Sequence, residues 1–149
     1  LKVLYESKMT WKPTTDYLRC NPSFHNHPRY DHVMMETLQD DGETSGYFFG
    51  QLCFMFKCMI EGKEYSMAFI HPYDTPTGRV NQQQDRDLGF WKLWEKPRAS
   101  AEFISVDSII CGLPVAPDFG NDGQHLFMNT VDSNLWLRLK EMKELARVR

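Results

Sequence analysis

Residues 46–74 read GYFFGQLCFMFKCMIEGKEYSMAFIHPYD, and this stretch decides the fold. It predicts two long antiparallel strands joined at residues 61–63, because Gly62 between charged neighbours suits a hairpin turn. The first arm, residues 47–60, is almost continuously apolar or aromatic. A strand of that composition requires cover on both faces, so we expect it to lie inside a barrel or a sandwich.

Shorter patterns outside the hairpin predict the remaining elements. Strands are expected at 30–37, 88–94, 102–111 and 124–130, and the third is either a strand pair or one strand with a bend near Ser105. A helix is expected to begin near Asp132 or Ser133, since either side chain can cap it. One face of that helix repeats apolar residues at helical spacing: Leu135, Leu139, Met142 and Ala146.

These elements predict a mainly β fold: an antiparallel β-barrel or curled sheet of five to seven strands with a C-terminal α-helix. Residues 1–28 contain three prolines and turn-forming asparagines, and we expect an irregular N-terminal arm there. Residues 29–149 are expected to form a single β-barrel domain that includes the helix.

Charge and cysteine content narrow the function classes. A net charge of −3 and a pI near 5.9 give no global attraction to nucleic acid or to an anionic membrane. No run is long and apolar enough to span a bilayer, and residues 1–9 lack the layout of a secretion signal. We expect buried free thiols and an intracellular location, with the nucleus as one candidate. The cysteines are Cys20, Cys53, Cys58 and Cys111.

A cluster of possible metal ligands occurs early in the chain. A thiolate and three imidazoles could form a tetrahedral zinc site, but their C-x4-H-x-H-x4-H spacing fits no established pattern. The interpretation we favour is surface and turn histidines, with no metal and no cofactor. The cluster consists of Cys20, His25, His27 and His32.

Catalytic signatures are absent from the sequence. There is no nucleophile elbow and no glycine-rich phosphate loop. Carboxylates could assemble into a nuclease-type centre, but the acids of almost any domain could be grouped in that way, and surface carboxylates are the simpler interpretation. The acids considered are Asp31, Asp74, Asp87 and Asp107.

Aromatic and basic residues flank a long polar segment at 75–87, and they define the predicted binding site. Aromatic faces can enclose a methylated ammonium or stack a nucleobase, although each ring taken singly also suits a core. Nearby basic side chains could contact phosphates. The predicted stacking residues are Tyr73, Trp91 and Trp94, and the predicted charged residues are Lys92, Lys96 and Arg98.

Most of the chain, residues 15–142, resembles a region of fungal transposon-derived proteins of the Kyakuja-Dileera-Zisupton type. The segments that carry the resemblance are RYDHVMMET, FFGQLCFMFKC, YSMAFIHPYD, DRDLGFWKLWEKPRASAEFISVDSIICGLPVAP and HLFMNTVDSNLWLRLKEM. It implies a domain of a longer parent protein and carries no catalytic residue across. The segment SVDSII, residues 105–110, is also similar to bromo-adjacent homology domains, which are β-barrels that act as chromatin readers and interaction modules.

The function we expect is a non-catalytic recognition module that binds a chromatin protein or nucleic acid through the loops at 75–87 and 95–101. Two other classes stay open. A metal-dependent nuclease or transposase fragment would bring carboxylates together in a cleft. A scaffold or oligomerisation domain would expose a large apolar patch on the sheet or the helix.

Overall fold

The computed structural model describes residues 1–38, 45–74 and 88–147, and strands dominate it. Two short 3-10 turns, Arg98–Ser100 and Val106–Ser108, flank one of the strands. The elements are β1 (Lys2–Glu6), β2 (Pro13–Tyr17), β3 (Cys20–Phe24), β4 (His27–Tyr30), β5 (His32–Leu38), β6 (Ser45–Ile60), β7 (Lys63–Asp74), β8 (Trp91–Glu95), β9 (Glu102–Ser105), β10 (Ile109–Leu113), β11 (Val115–Pro117), β12 (Gln124–Phe127) and α1 (Ser133–Arg147).

The predicted hairpin is confirmed as β6 and β7, which pair antiparallel from Gly50 opposite Pro72 to Ile60 opposite Lys63. The turn residues Glu61 and Gly62 have φ values of 49° and 79°. Two successive residues in the left-handed region form the turn whose twist matches that of antiparallel strands. Glycine adopts such a φ without strain, which is why the sequence signal at this turn is strong.

Eight strands of the described chain form one antiparallel sheet in the order β10-β5-β6-β7-β8-β12-β11, with β9 also paired to β7. The sheet does not close on itself, so of the two predicted architectures the curled sheet is the one observed. The bend expected near Ser105 is the 3-10 turn between β9 and β10.

Each face of this sheet carries its own core. On the side that we call the helix face, strand residues such as Met34, Phe49 and Phe127 pack with Leu135 and Leu139 of α1. The opposite face, which we call the N-terminal face, holds a second cluster: Val33, Met35, Leu52, Ala68, Ile70 and Ile109, with Val3 and Leu18 from the N-terminal region. Two separate cores explain why β5 and β6 are apolar on both sides.

Residues 1–28 are not irregular, and that prediction is wrong. They form two hairpins, β1–β2 and β3–β4. Pro13 is the first residue of β2, and Pro22 lies where the β3–β4 register shifts, so neither proline removes a hydrogen bond from a central ladder. Proline at such positions is compatible with a strand, so its presence in residues 1–28 does not indicate an irregular chain.

The predicted helix start is confirmed. Asp132 caps α1, because its Oδ1 accepts a hydrogen bond of 2.9 Å from the backbone N–H of Asn134. Leu135 and Leu139 are buried, as their spacing predicts, and the side chains of Met142 and Ala146 lie outside the described residues. None of the described helical segments is long and apolar enough to cross a membrane.

Candidate interaction surface

A one-residue bulge in β6 decides which side chains reach solvent. Leu52 pairs with Ile70, but Phe54 pairs with Phe69, so Cys53 is an extra residue without its own partner. Side chains alternate between the faces of a strand, and an inserted residue reverses the alternation beyond it. Phe54 therefore lies on the helix face, although it is two residues from Leu52 on the N-terminal face.

Beyond the bulge, aromatic side chains from three paired strands meet on the helix face. Ring centroids of Phe54 and Phe69 lie 5.2 Å apart, those of Phe69 and Phe103 lie 4.8 Å apart, and Phe56 meets Phe103 edge-on at 5.7 Å. The register of β6, β7 and β9 extends this face toward the turn. We call it the aromatic surface: Phe54, Phe56, Ile60, Tyr65, Phe69 and Phe103.

The aromatic surface is open to solvent. Phe103 is 57% exposed, Phe54 is 44% exposed and Phe56 is 36% exposed. Since an aromatic side chain offers about 150–250 Å² of surface, the patch exposes apolar area on the order of several hundred Å². That is the size of the largest patch on a typical monomer, which is often functional. The expectation that the first hairpin arm has cover on both faces is therefore wrong beyond the bulge.

Two of the predicted stacking residues are buried, so their assignment as binding faces is wrong. Tyr73 is 2% exposed and Trp91 is 6% exposed. The Trp91 ring packs edge-on against Phe127, with centroids 5.8 Å apart, inside the core of the helix face. An alternating pattern identifies which residues share a face, but it does not say whether another element covers that face.

The other predicted site residues do not converge on one surface. Lys92 and Trp94 alternate with the buried residues of β8, so they point to the N-terminal side of the sheet and are half-buried. Lys96 and Arg98 are exposed in the turn after β8. The backbone carbonyl of Lys96 accepts a hydrogen bond of 2.7 Å from His71 Nε2. The loop at 75–87, with Arg79 and Arg86, lies outside the described residues.

The candidate metal ligands have different structural roles. His25 lies at the β3–β4 turn with φ of 49° and packs against Phe24, while His32 bonds within the sheet. In the described ranges, no three His, Cys, Asp or Glu side chains are grouped so that they could hold a metal ion.

The candidate catalytic acids also serve separate purposes. Asp31 accepts hydrogen bonds from Arg19 N–H and Arg29 Nε, both at 2.8 Å, and so joins the segment between β2 and β3 to β4. Asp107 is exposed in a 3-10 turn, and Asp74 pairs with Trp94 at the end of β7. Asp87 lies outside the described residues.

A polar cluster that the sequence did not predict lies between the buried core and the aromatic surface. A hydrogen bond of 2.8 Å joins Tyr73 Oη to His32 Nδ1, and the His125 ring lies within 6 Å of both rings. His125 Nε2 is 3.5 Å from the Glu95 carboxylate. The strand register that aligns His32, Tyr73 and His125 comes from elements far apart in the chain, so local patterns carry no signal for the cluster.

Burial keeps this cluster uncharged at neutral pH. Desolvation, with a smaller contribution from His125, lowers the pKa of His32 from 6.5 to about 4. Desolvation also lowers the pKa of His125 against the opposing effect of Glu95, and it raises the pKa of Tyr73 well above its usual range. A general acid or base works best with a pKa near the working pH, so the cluster is suited to structure rather than to proton transfer.

A cavity of about 790 Å³ lies beside the cluster, between Glu95, His125 and the turn at 117–123. One of its carboxylates, Asp118, already accepts hydrogen bonds from its own turn. The backbone N–H of Gly120 and the Asn121 amide each donate to it at 2.9 Å, and these bonds lower the pKa of Asp118. The turn therefore holds itself together and does not direct this carboxylate at a ligand.

Comparisons with known proteins give no match to a family model, a curated protein or a solved structure. The resemblances to mobile-element proteins and to bromo-adjacent homology domains stay predictions. The aromatic surface is accordingly the feature of the described residues on which a function can be argued.

Proposed function

We propose that the chain is a non-catalytic recognition module that binds a protein partner through the aromatic surface. The observation that carries the proposal is the contact of four phenylalanine rings on paired strands, with three of those rings substantially open to solvent. A chromatin protein is the partner class that the sequence resemblance implies, and nucleic acid is the alternative partner.

The charge around the surface favours a protein over a nucleic acid. Affinity for nucleic acid depends on Lys and Arg side chains that neutralise phosphates. Among the described strand residues that point to the helix face from Phe54 to Phe69 and across β9, Lys63 is the one that carries a full charge. The centres of protein interfaces, in contrast, are depleted of charge and enriched in aromatic residues.

The ring cluster has the properties of an energetic centre for binding. The rings are fixed by strand pairing and by mutual contact, so little side-chain freedom is lost when a partner covers them. Burying one phenylalanine side chain contributes about 1.5–3 kcal/mol. Two such rings are enough to account for a binding change of more than about tenfold.

Selection from a random peptide library displayed on phage tests the proposal without assuming which protein is the partner. We expect peptides that bind the wild-type chain, and we expect the double variant Phe56→Ser, Phe103→Ser to bind them at least about tenfold more weakly in calorimetry. Phe119 is 96% exposed and lies outside the aromatic surface, so Phe119→Ser is the matched control and should bind as the wild type does.

Three results would contradict the proposal. Selected peptides could bind the double variant as well as the wild type. Fluorescently labelled DNA or RNA could bind more tightly than any peptide, with the steep salt dependence of phosphate contacts. Sedimentation could show a dimer that dissociates in the double variant, which would make the surface an interface between copies of this chain.

A further inference from the structure

The hairpin of β6 and β7 has an open edge beside the aromatic surface. Pairing of β6 with β5 ends at Gln51, and no described strand pairs with β6 on that side from Leu52 to Ile60. Ile60 and Lys63 close the two-residue turn, so they form a hydrogen-bonded pair. Alternation along the strand then directs the backbone of Met59, Lys57 and Met55 away from β7.

Of these three outward-facing residues, Met55 already has a neighbour, whereas Lys57 and Met59 have open backbone groups. The backbone of Met55 faces the Cys20 thiol of β3 and favours its ionised form, which agrees with the outward direction. Lys57 and Met59 follow with no backbone partner in the described part of the chain. Unpaired N–H and C=O groups at a sheet edge are a template for another strand.

The side chains around this edge specify what kind of strand fits. Lys57 points to the N-terminal face, where its Nζ lies 2.7 Å from Glu64 and both side chains are more than half exposed. Two copies of the edge in symmetric antiparallel register would place Lys57 opposite Lys57, and like charges directly opposite are destabilising. An acidic side chain on the incoming strand would instead complement Lys57.

We infer, on the basis of the proposed function, that an extended segment of the partner adds as a strand to the outer edge of β6 at Lys57 and Met59. Its alternate side chains are apolar and lie against the aromatic surface, while the side chains between them are acidic or polar and face Lys57. Backbone pairing supplies the alignment and the aromatic surface supplies the selectivity, as in other cases of strand addition.

The test uses a short synthetic peptide in which Phe or Val alternates with Glu or Thr, with a scrambled peptide and an alternately N-methylated peptide as controls. Met59→Pro removes an outward N–H of β6 and leaves the β7 ladder intact. Met59→Ala shortens the same side chain but keeps the N–H, so it is the matched control. We expect Met59→Pro to weaken peptide binding about tenfold, and Met59→Ala to leave it unchanged.

Hydrogen exchange and charge exchange give two further readouts. We expect the amide protons of Lys57 and Met59 to exchange at least about tenfold more slowly in the complex, because the peptide pairs with them. Lys57→Glu should prefer a peptide in which Lys replaces Glu.

Several outcomes would overturn strand addition. One is equal binding of the N-methylated and unmodified peptides. Another is peptide binding that survives Met59→Pro but is lost in the double variant Phe56→Ser, Phe103→Ser, which would leave the proposed function intact. If the alternating peptide does not bind but phage-selected peptides do, strand addition is again overturned and the proposed function stays intact. A dimer that forms through this edge would also overturn the proposal, because the added strand would then come from a second copy of this chain.

Discussion

At the scale of single residues, His32 and Tyr73 mark the boundary between the core of the helix face and the aromatic surface. Their hydrogen bond lies on the helix face, where the apolar core ends and the aromatic surface begins. Tyr73 is buried, His32 is half-buried, and both are neutral, so the pair satisfies two polar side chains without placing a charge beside the core. This arrangement destabilises the fold when the imidazole of His32 is protonated.

Stability should fall with acid because of His32. Its pKa is about 4 in the folded chain and 6.5 when exposed, so the unfolded chain binds more protons between these values. The stabilisation is therefore fully present above pH 6.5 and is lost as the pH falls toward 4. We expect this group to account for about 3 kcal/mol of that loss. Urea denaturation at a series of pH values measures it.

His32→Asn provides the control, since an amide can bond to the Tyr73 hydroxyl but does not titrate. The free energy of unfolding of the wild type minus that of His32→Asn should therefore decrease as the pH falls from 6.5 to 4. Parallel curves over that window would show that His32 does not titrate there. His125, whose pKa is also lowered by burial, contributes to both proteins with the same sign.

At the scale of elements, the bulge at Cys53 determines which face of the sheet the side chains of β6 beyond it occupy. If Cys53 had its own partner in the ladder, Phe54 and Phe56 would continue the alternation of Leu52 and face the N-terminal core. The hairpin, its turn and its length were predictable, because they follow from apolar runs and from Gly62. The bulge was not, because an inserted residue leaves no mark in a strand whose two faces are equally apolar.

Deletion of Cys53 should remove the bulge and keep the aromatic surface. Leu52 and Phe54 then become neighbours opposite Ile70 and Phe69, so regular alternation still directs Phe54 and Phe56 to the helix face. We expect the deletion variant to bind the phage-selected peptides about as tightly as the wild type does in calorimetry. Cys53→Ser keeps the residue count and should also retain the binding. Loss of binding in a folded deletion variant would show that the bulge itself orients the rings.

At the scale of the whole molecule, the first hairpin and the helix hold each other. Ser7 is 3% exposed, and its hydroxyl donates to Asn134 Oδ1 at 2.7 Å. Arg138 donates to the Glu6 carbonyl at 2.7 Å, one turn further along α1. These contacts span more than 120 residues of sequence, so no local pattern predicts them, and they turn the supposed irregular arm into part of the core.

A double-mutant cycle should detect this connection. Ser7→Ala and Asn134→Ala should each destabilise the chain by about 1–3 kcal/mol, because each leaves a part-buried polar group without its partner. Their combined effect should fall short of additivity by at least about 0.5 kcal/mol. Ser23 is exposed and its side chain makes no described hydrogen bond, so Ser23→Ala should be neutral. Strict additivity would mean that the two residues act independently.

The position of α1 has a consequence for synthesis on the ribosome. Leu135 and Leu139 cover the helix face, and they are translated after every described strand. Until they emerge, Phe49 and Phe127 lack part of their packing, and Ser7 lacks its bond to Asn134. The nascent chain therefore passes through a stage with a nearly complete sheet and an uncovered core, and it is at this stage that binding by a chaperone would have its largest effect.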